Sequence, residues 1–349
     1  GVSITFCGCG FADRLKGTSM TKRILLPVFV VCIASLLYAA TAIILANFSF
    51  PKQNNGKLVF PETVENGLKL DKVVIKTPRN QTTLLLENNF WLVKEEDYYY
   101  ANIELLNELF NSLNTSRYRH RQQFSPQIAD EDQLAAPGQG TPEHTGTLIE
   151  TFAGENPQPM ESIIIGKETA NGLYHFARPL DKEEIWLIDG SYTLPDDNYS
   201  WLMQPILDYP AEIVEKVVIS ENNQITLSAS RSRSNYPFFT PEQKTVPLDA
   251  LLERFNFFIT EKVLSAQNFD ETLFPRHRRI ELTTFSGMVT VVDLYYDSND
   301  YWVKISLSTT TLPTASVNAY IRDNNFLYDG WFFKIPASNG KVLANFNIR

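Results

Sequence analysis

The sequence predicts an α+β protein: one N-terminal transmembrane helix followed by two β-β-α-β-β-β-β repeats. Three observations carry that expectation. A single long uncharged run, residues 24–46, stands near the N-terminus. After it come short β-branched or alternating runs, interrupted by two stretches with helical spacing. The strings Lys72-Val73-Val74-Ile75 and Lys216-Val217-Val218-Ile219 each open the same order of elements. Strands grouped around single helices in this way belong to α+β architectures.

The uncharged run reads ILLPVFVVCIASLLYAATAIILA, directly after Lys22 and Arg23. As a helix rising 1.5 Å per residue it is about 34 Å long, enough to cross a hydrocarbon core with some tilt. Thirteen of its residues are Ile, Leu, Val or Phe, each favourable by about 0.3–0.6 kcal/mol at mid-membrane. Pro27 falls in the first turn, where its missing N–H costs little. Two other readings stand beside the anchor. A cleaved signal peptide would use Ala40-Thr41-Ala42, but Ile43-Ile44-Leu45-Ala46 carries the run past an ordinary h-region. A buried core helix would be apolar all round beside two cations. Lys22-Arg23 before the run, with no cation beyond it until Lys52, orients the N-terminus to the cytoplasm. Residues 1–19 read as a tail, with Met20-Thr21-Lys22-Arg23 as a natural start. Residues 20–47 form the anchor, and 48–70, with Pro51, Asn54-Asn55-Gly56 and Pro61, a tether.

Acidic residues outnumber basic ones by 40 to 31. Four of the basic residues precede Phe48 and only Asp13 is acidic there, so the excess lies in the C-terminal part. Such a domain repels phosphate backbones, and nucleic acid is excluded as a general partner. Cys7, Cys9 and Cys32 all precede or lie within the apolar run, so the remainder needs no disulfide. Cys7-Gly8-Cys9 lacks C-x-x-C spacing, and a zinc set is missing.

The first repeat, 71–210, opens with strands at Lys72-Val73-Val74-Ile75-Lys76, Thr82-Thr83-Leu84-Leu85-Leu86 and Phe90-Trp91-Leu92-Val93, with a turn at Asn88-Asn89. Ile103, Leu106, Leu109, Phe110 and Leu113 predict an amphipathic helix over 101–114. Strands ending at Phe152, Gly166, Ala177 and Ile188 follow. The second repeat, 211–349, answers with strands from Lys216 and Gln224 and a helix over 247–259, marked by Leu248, Leu251, Leu252, Phe255, Phe258 and Ile259. Further strands end at Phe285, Tyr296, Leu307 and Pro336. The opening strands are offset by 144 residues, and matching Phe152 to Phe285 gives 133. Residues 121–144 have no apolar period but carry Pro126, Pro137, Gly138, Gly140 and Pro142, the composition of a flexible loop.

Together these residues resemble the bacterial domain family DUF-4340. The resemblance rests on the apolar segment, the strand with Trp91, the helix over 101–114, Ile164-Ile165-Gly166, Gly172-Leu173-Tyr174 with Ala177-Arg178, Ile185-Trp186-Leu187 and Trp201-Leu202. It covers most of 70–220 and more weakly the second half; the polar insertion after Phe124 departs from it. The resemblance implies one N-terminal anchor in the bacterial inner membrane, a periplasmic domain and an association with gliding-motility-type ABC transporters. It implies no catalytic residue and no cofactor.

Chemical motifs are sparse. His120, His144, His175 and His277 show no metal-binding spacing, and GxSxG, a phosphate loop and GxGxxG are missing. Asp196-Asp197, Glu183-Glu184 and Asp130-Glu131-Asp132 are carboxylate clusters, which more often edge turns than face a substrate. Asp297-Ser298-Asn299-Asp300 reads as a hairpin turn, and Tyr98-Tyr99-Tyr100 as a loop packed on the following helix. Two basic clusters stand out: Arg117, Arg119, His120 and Arg121, and Arg276, His277, Arg278 and Arg279. Either they are solvated flanks balancing nearby acids, or they contact an anion or a partner, with Arg276, Arg278 and Arg279 as the partner contact. Two functional classes lead, a non-enzymatic, membrane-anchored accessory subunit acting with an ABC transporter or an anchored glycan-processing hydrolase of the envelope, and a structural envelope protein is a weaker third.

Overall fold

The computed structural model describes residues 56–154 and 156–346. The apolar run 24–46 lies outside them, and among the described residues no helix is long and apolar enough to cross a membrane.

The chain folds as α+β, mostly as two antiparallel sheets. The first is drawn from β1 Leu70–Lys76, β2 Gln81–Glu87, β3 Phe90–Val93, β4 Tyr99–Tyr100, β5 Tyr118–Gln122, β6 Thr147–Ala153, β7 Glu161–Glu168, β8 His175–Pro179 and β9 Ile185–Ile188. Its order is β4-β3-β2-β1-β6-β7-β8-β9-β5. The second contains β10 Val214–Glu221, β11 Gln224–Ser230, β12 Phe238–Phe239, β13 Thr245–Val246, β14 Lys262–Ser265, β15 Arg276–Thr284, β16 Met288–Asp297, β17 Asp300–Thr309 and β18 Trp331–Ile335. Its order is β13-β12-β11-β10-β15-β16-β17-β18-β14, the first order shifted by nine strands. Among the described residues six α-helices accompany them: α1 Pro61–Glu65, α2 Ile103–Thr115, α3 Pro126–Glu131, α4 Asp249–Leu252, α5 Ala315–Asn324 and α6 Ala337–Asn345.

Local chemistry explains the turns. Asn88-Asn89 and Asn222-Asn223 have positive φ throughout, the two-residue geometry that suits the right-handed twist of a hairpin. Asp297 pairs with Asp300 across a third tight turn, as expected. Asn102 caps α2, accepting from Glu104 N and Leu105 N at 3.0 and 3.2 Å. Leu106, Leu109 and Leu113 of that helix are buried in the same core as Val73, Ile75, Leu84 and Trp186.

The details of pairing match as well. Against β6, the register of β1 shifts between Leu70 and Lys72. Against β15, that of β10 shifts between Val214 and Lys216. Val74 faces Glu150, and Val218 faces Glu281. Phe152 therefore answers Thr283 rather than Phe285, because residues facing the same strand position define the correspondence. The connection between the halves is buried: Trp201 and Leu202 have no exposed surface, and Leu207 pairs with Phe258.

Three expectations are corrected. Residues 121–144 are built into the fold. Ser125 caps α3, and Ala129, Leu134 and Ala136 cover Leu148, Ile164 and Ile185 on the outer face of the first sheet. Gly166 makes this possible, since a Cβ there would lie 2.2 Å from the Asp132 carbonyl oxygen. The helix expected over 247–259 is only α4 plus a 3-10 turn, Glu253–Phe255. Beyond it, Phe258 N donates to Leu207 O at 2.7 Å and Phe258 O accepts from Ile206 N at 2.8 Å. The apolar period thus spans a helical turn and an extended segment, both burying phenylalanine. Finally, Tyr99 and Tyr100 form β4, and the Tyr99 ring packs edge-on against Trp331 and Phe333 of the second sheet.

Two carboxylates join the halves. Glu96 Oε2 accepts from Val263 N at 2.9 Å, while Asp97 Oδ2 accepts from Ser265 N, Ser265 Oγ and Asn268 Nδ2. Burial pushes the Glu96 carboxyl above its ordinary value, against the lowering effects of the Val263 N–H and Lys262. Relative to Glu96→Gln, the wild type's extra stability is therefore fully present below the usual carboxylate range and lost as pH rises through the folded pKa. Urea unfolding of both proteins across that range checks this; a pH-independent difference between their midpoints contradicts it.

Candidate binding surfaces

The basic clusters fall largely within strands, with Arg117 just before β5. Arg119, His120 and Arg121 are in β5, whereas Arg276, His277, Arg278 and Arg279 open β15. These strands occupy different places in the two sheet orders.

The first cluster is matched by nearby acids. Asp189 accepts from Arg117 N at 2.6 Å and from Arg119 Nε at 2.8 Å, and Arg121 pairs with Glu184 at 3.1 Å. His120 packs near Tyr174 with ring centroids 6.3 Å apart.

The second cluster is divided by its backbone. Arg276 faces Tyr295, and Arg278 already faces Leu294, so His277 is an extra residue in the ladder. Simple alternation would put Arg276 and Arg279 on opposite faces. The bulge brings both to Asp293. Arg279 donates to it through Nε and Nη2, both at 2.8 Å, and Arg276 Nη1 stands 3.7 Å away. Arg276 Nη2 also donates to Asn223 Oδ1 at 2.7 Å. The Asp293 carboxylate beside Arg279 pushes that guanidinium above its usual value. His277 Nε2 donates to Tyr296 O at 3.0 Å, with its ring stacked on Tyr296 at 4.0 Å.

Arg278 turns the other way and is 5 % exposed. It donates to Leu343 O and Phe346 O, both at 2.9 Å, and pairs with Glu221. A cation there satisfies carbonyls left open at the C-terminal end of α6. Of the three arginines expected to contact a partner, Arg276 and Arg279 are exposed and Arg278 is structural. The bulge that separates them leaves no mark in the sequence.

A concavity of about 520 Å³ lies over this strand, lined by Ser220, Asn222, Asn223 and the four residues 276–279. A larger cleft, about 1020 Å³, opens on the first half, where Leu58, Tyr118, Met160 and Pro179 meet Glu150 and Glu161. Glu62 and Asp181 line the cleft as well, while Glu150 and Glu161 are engaged by the fold. Glu150 binds Lys76 Nζ at 2.8 Å; Glu161 accepts from Glu62 N, Thr63 N and Thr151 Oγ1, holding the first turn of α1. His175 lies in β8, where burial holds its imidazole below the ordinary value. Among the described residues no group of three or more His, Cys, Asp or Glu is placed to hold a metal ion.

Comparison with known protein families, curated proteins and solved structures finds nothing that matches this chain.

The two kinds of arginine differ in what their loss costs. Arg278→Ala strands two carbonyls and Glu221, and is expected to cost about 2–4 kcal/mol. Arg276→Ala removes an exposed pair and should stay within about 1 kcal/mol. Chemical denaturation of the two variants measures both; equal losses would contradict the division.

Proposed function

We propose that this chain is a non-enzymatic binding subunit, anchored in a bacterial inner membrane by residues 24–46. Its domain stands outside the cytoplasm and binds a protein partner, a component of an ABC transporter. The observation that carries the reading is the exposed face of β15. There Asp293 and Asn223 hold Arg276 and Arg279 in set positions within a chain of net charge −9. A preset basic patch against an acid background steers and orients a partner. An anchor supports the same reading by confining both partners to one plane, which raises their effective concentration and lets a weak contact suffice.

We also infer that the two halves, near 71–210 and 211–349, descend from one repeated unit. Identical strand orders and a register shift at the same strand position support this. So does the lead-in of each half. Val59 N donates to Ser116 O beside the strand after α2, and Ile206 N donates to Phe258 O before β14.

Topology is tested with reporter fusions at Asn114 and Arg349, which should be active with alkaline phosphatase and silent with a cytoplasmic reporter. The reverse pattern would overturn the orientation.

For the partner, detergent-solubilised protein should co-purify with transporter subunits. The pair Arg276→Glu and Arg279→Glu should reduce recovery severalfold, while Arg121→Glu on the first sheet should not. Failure to recover any transporter subunit after cross-linking in the membrane would end the accessory-subunit reading.

A further inference from the structure

The concavity over β15 has an unusual lining. Seven residues form it: three arginines, one histidine, one serine and two asparagines, with no acidic residue among them. Each of these side chains carries a hydrogen-bond donor, but that of Arg278 turns into the protein and is committed to Leu343 O, Phe346 O and Glu221. The carboxylates that hold the arginines, Asp293 and Glu221, are not part of the lining. Asp293 is 8 % exposed in its side chain, so its charge is largely shielded from solvent.

The guanidiniums are held without being used up. A guanidinium has five N–H donors. Arg279 gives Nε and Nη2 to Asp293, and Arg276 gives Nη2 to Asn223 with Nη1 at 3.7 Å from Asp293. Donors on both side chains stay uncommitted. On this face Arg276 and Arg279 against Asp293 leave one positive charge before His277 is counted. Ordering two long side chains costs rotamer entropy, and here the fold has already met that cost.

The position of the concavity within the sheet is informative. Ser220 faces Arg279 in the second sheet as Lys76 faces Leu148 in the first. Leu148 is buried beneath the segment that carries Ala129, Leu134 and Ala136. Arg279, at the matching place, is exposed. The second half leaves open and makes cationic a spot that the first half covers and makes apolar.

We propose that this concavity is a binding site for a phosphate-type oxyanion, the charged group of a phosphate ester or of free phosphate. A tetrahedral anion with several acceptor oxygens matches convergent guanidinium, hydroxyl and amide donors, and guanidinium–phosphate hydrogen bonds are among the strong ones. The inference goes beyond the reading of this face as a protein contact, since it assigns the same exposed donors an oxyanion ligand.

The test uses the full chain in maltoside micelles and inorganic phosphate as probe, titrated by calorimetry at constant ionic strength against chloride. Saturable one-to-one binding is expected. Arg276→Gln should weaken it roughly tenfold or more, the worth of one charge-assisted hydrogen bond. Arg121→Gln on the first sheet should leave it unchanged. Arg279→Gln removes a partner of the largely buried Asp293, so its thermal unfolding is recorded beside binding; Arg276→Gln and His277→Ala, both on exposed residues, keep the test independent of folding. Repeating the titration in phosphatidylglycerol nanodiscs separates the sources. A phosphate affinity lowered severalfold there assigns the site to a lipid headgroup, and an unchanged affinity assigns it to a soluble phosphate compound. Non-saturable heat, or binding that Arg276→Gln leaves intact, overturns the proposal. The partner reading fails separately, through cross-linking, so a protein that binds phosphate but recovers no transporter subunit keeps this site and loses that reading.

Discussion

Two long antiparallel sheets leave four edges, and an open edge presents a row of unpaired N–H and C=O groups to any other chain. How those edges are closed determines much else in the molecule. Along β14, Glu96 and Asp97 supply carboxylate acceptors to the N–H groups of Val263 and Ser265. At the start of β5 the lead-in does the work, with Tyr118 N donating to Lys57 O and accepting at its carbonyl from Gly56 N. Past β4, Met203 N donates to Tyr100 O, so the buried connection between the halves closes a third edge. At β14 and past β4 the bonds that terminate a sheet also tie the halves together. Trp201, Leu202 and Tyr209 lie in one continuous core with both sheets, which follows from the connection having to run along those edges.

Charge on β15 is sorted by one extra residue. With His277 out of the ladder, Arg278 points into the protein and Arg276 joins Arg279 beside Asp293. A guanidinium buried at the C-terminal end of a helix is tolerated because two carbonyls and a carboxylate meet it. Two exposed guanidiniums side by side are tolerated because a shielded carboxylate lies between them. The same four-residue string thus yields one structural cation and one prepared surface.

Much of the fold was legible because strands write their pattern locally. Lys72-Val73-Val74-Ile75-Lys76 and its counterpart from Lys216 became β1 and β10, and the asparagine pairs became tight turns. What escaped was non-local. Leu134 is fully buried, yet its neighbours Gln133 and the proline and glycine residues beyond give no period, since the segment lies across strands rather than within one. Leu248 to Phe258 carried a true helical period that ends when Phe258 pairs with Leu207 instead. The basic face was visible as composition, but which arginines are exposed depends on a bulge that alternation does not encode.

The halves share a frame and use it differently. Each connection before β6 or β15 folds over the outer face of its sheet. In the first half it covers Leu148, Ile164 and Ile185. In the second, Phe269 stacks on Phe332 at 3.9 Å and meets Tyr295 and Trp302, closer to the β18 side. A shift of the cover across the sheet exposes a different strand end, and an exposed strand end no longer needs apolar residues. Arginine at 279, where the first half has Leu148, is compatible with the fold only after that shift. The order of dependence runs from cover to charge: the moved segment opens the surface, and the opened surface admits the cations. An insertion that re-covered the concavity with apolar residues would bury Arg276 and Arg279 and leave their remaining donors without water, so the open face and its charge stand or fall together.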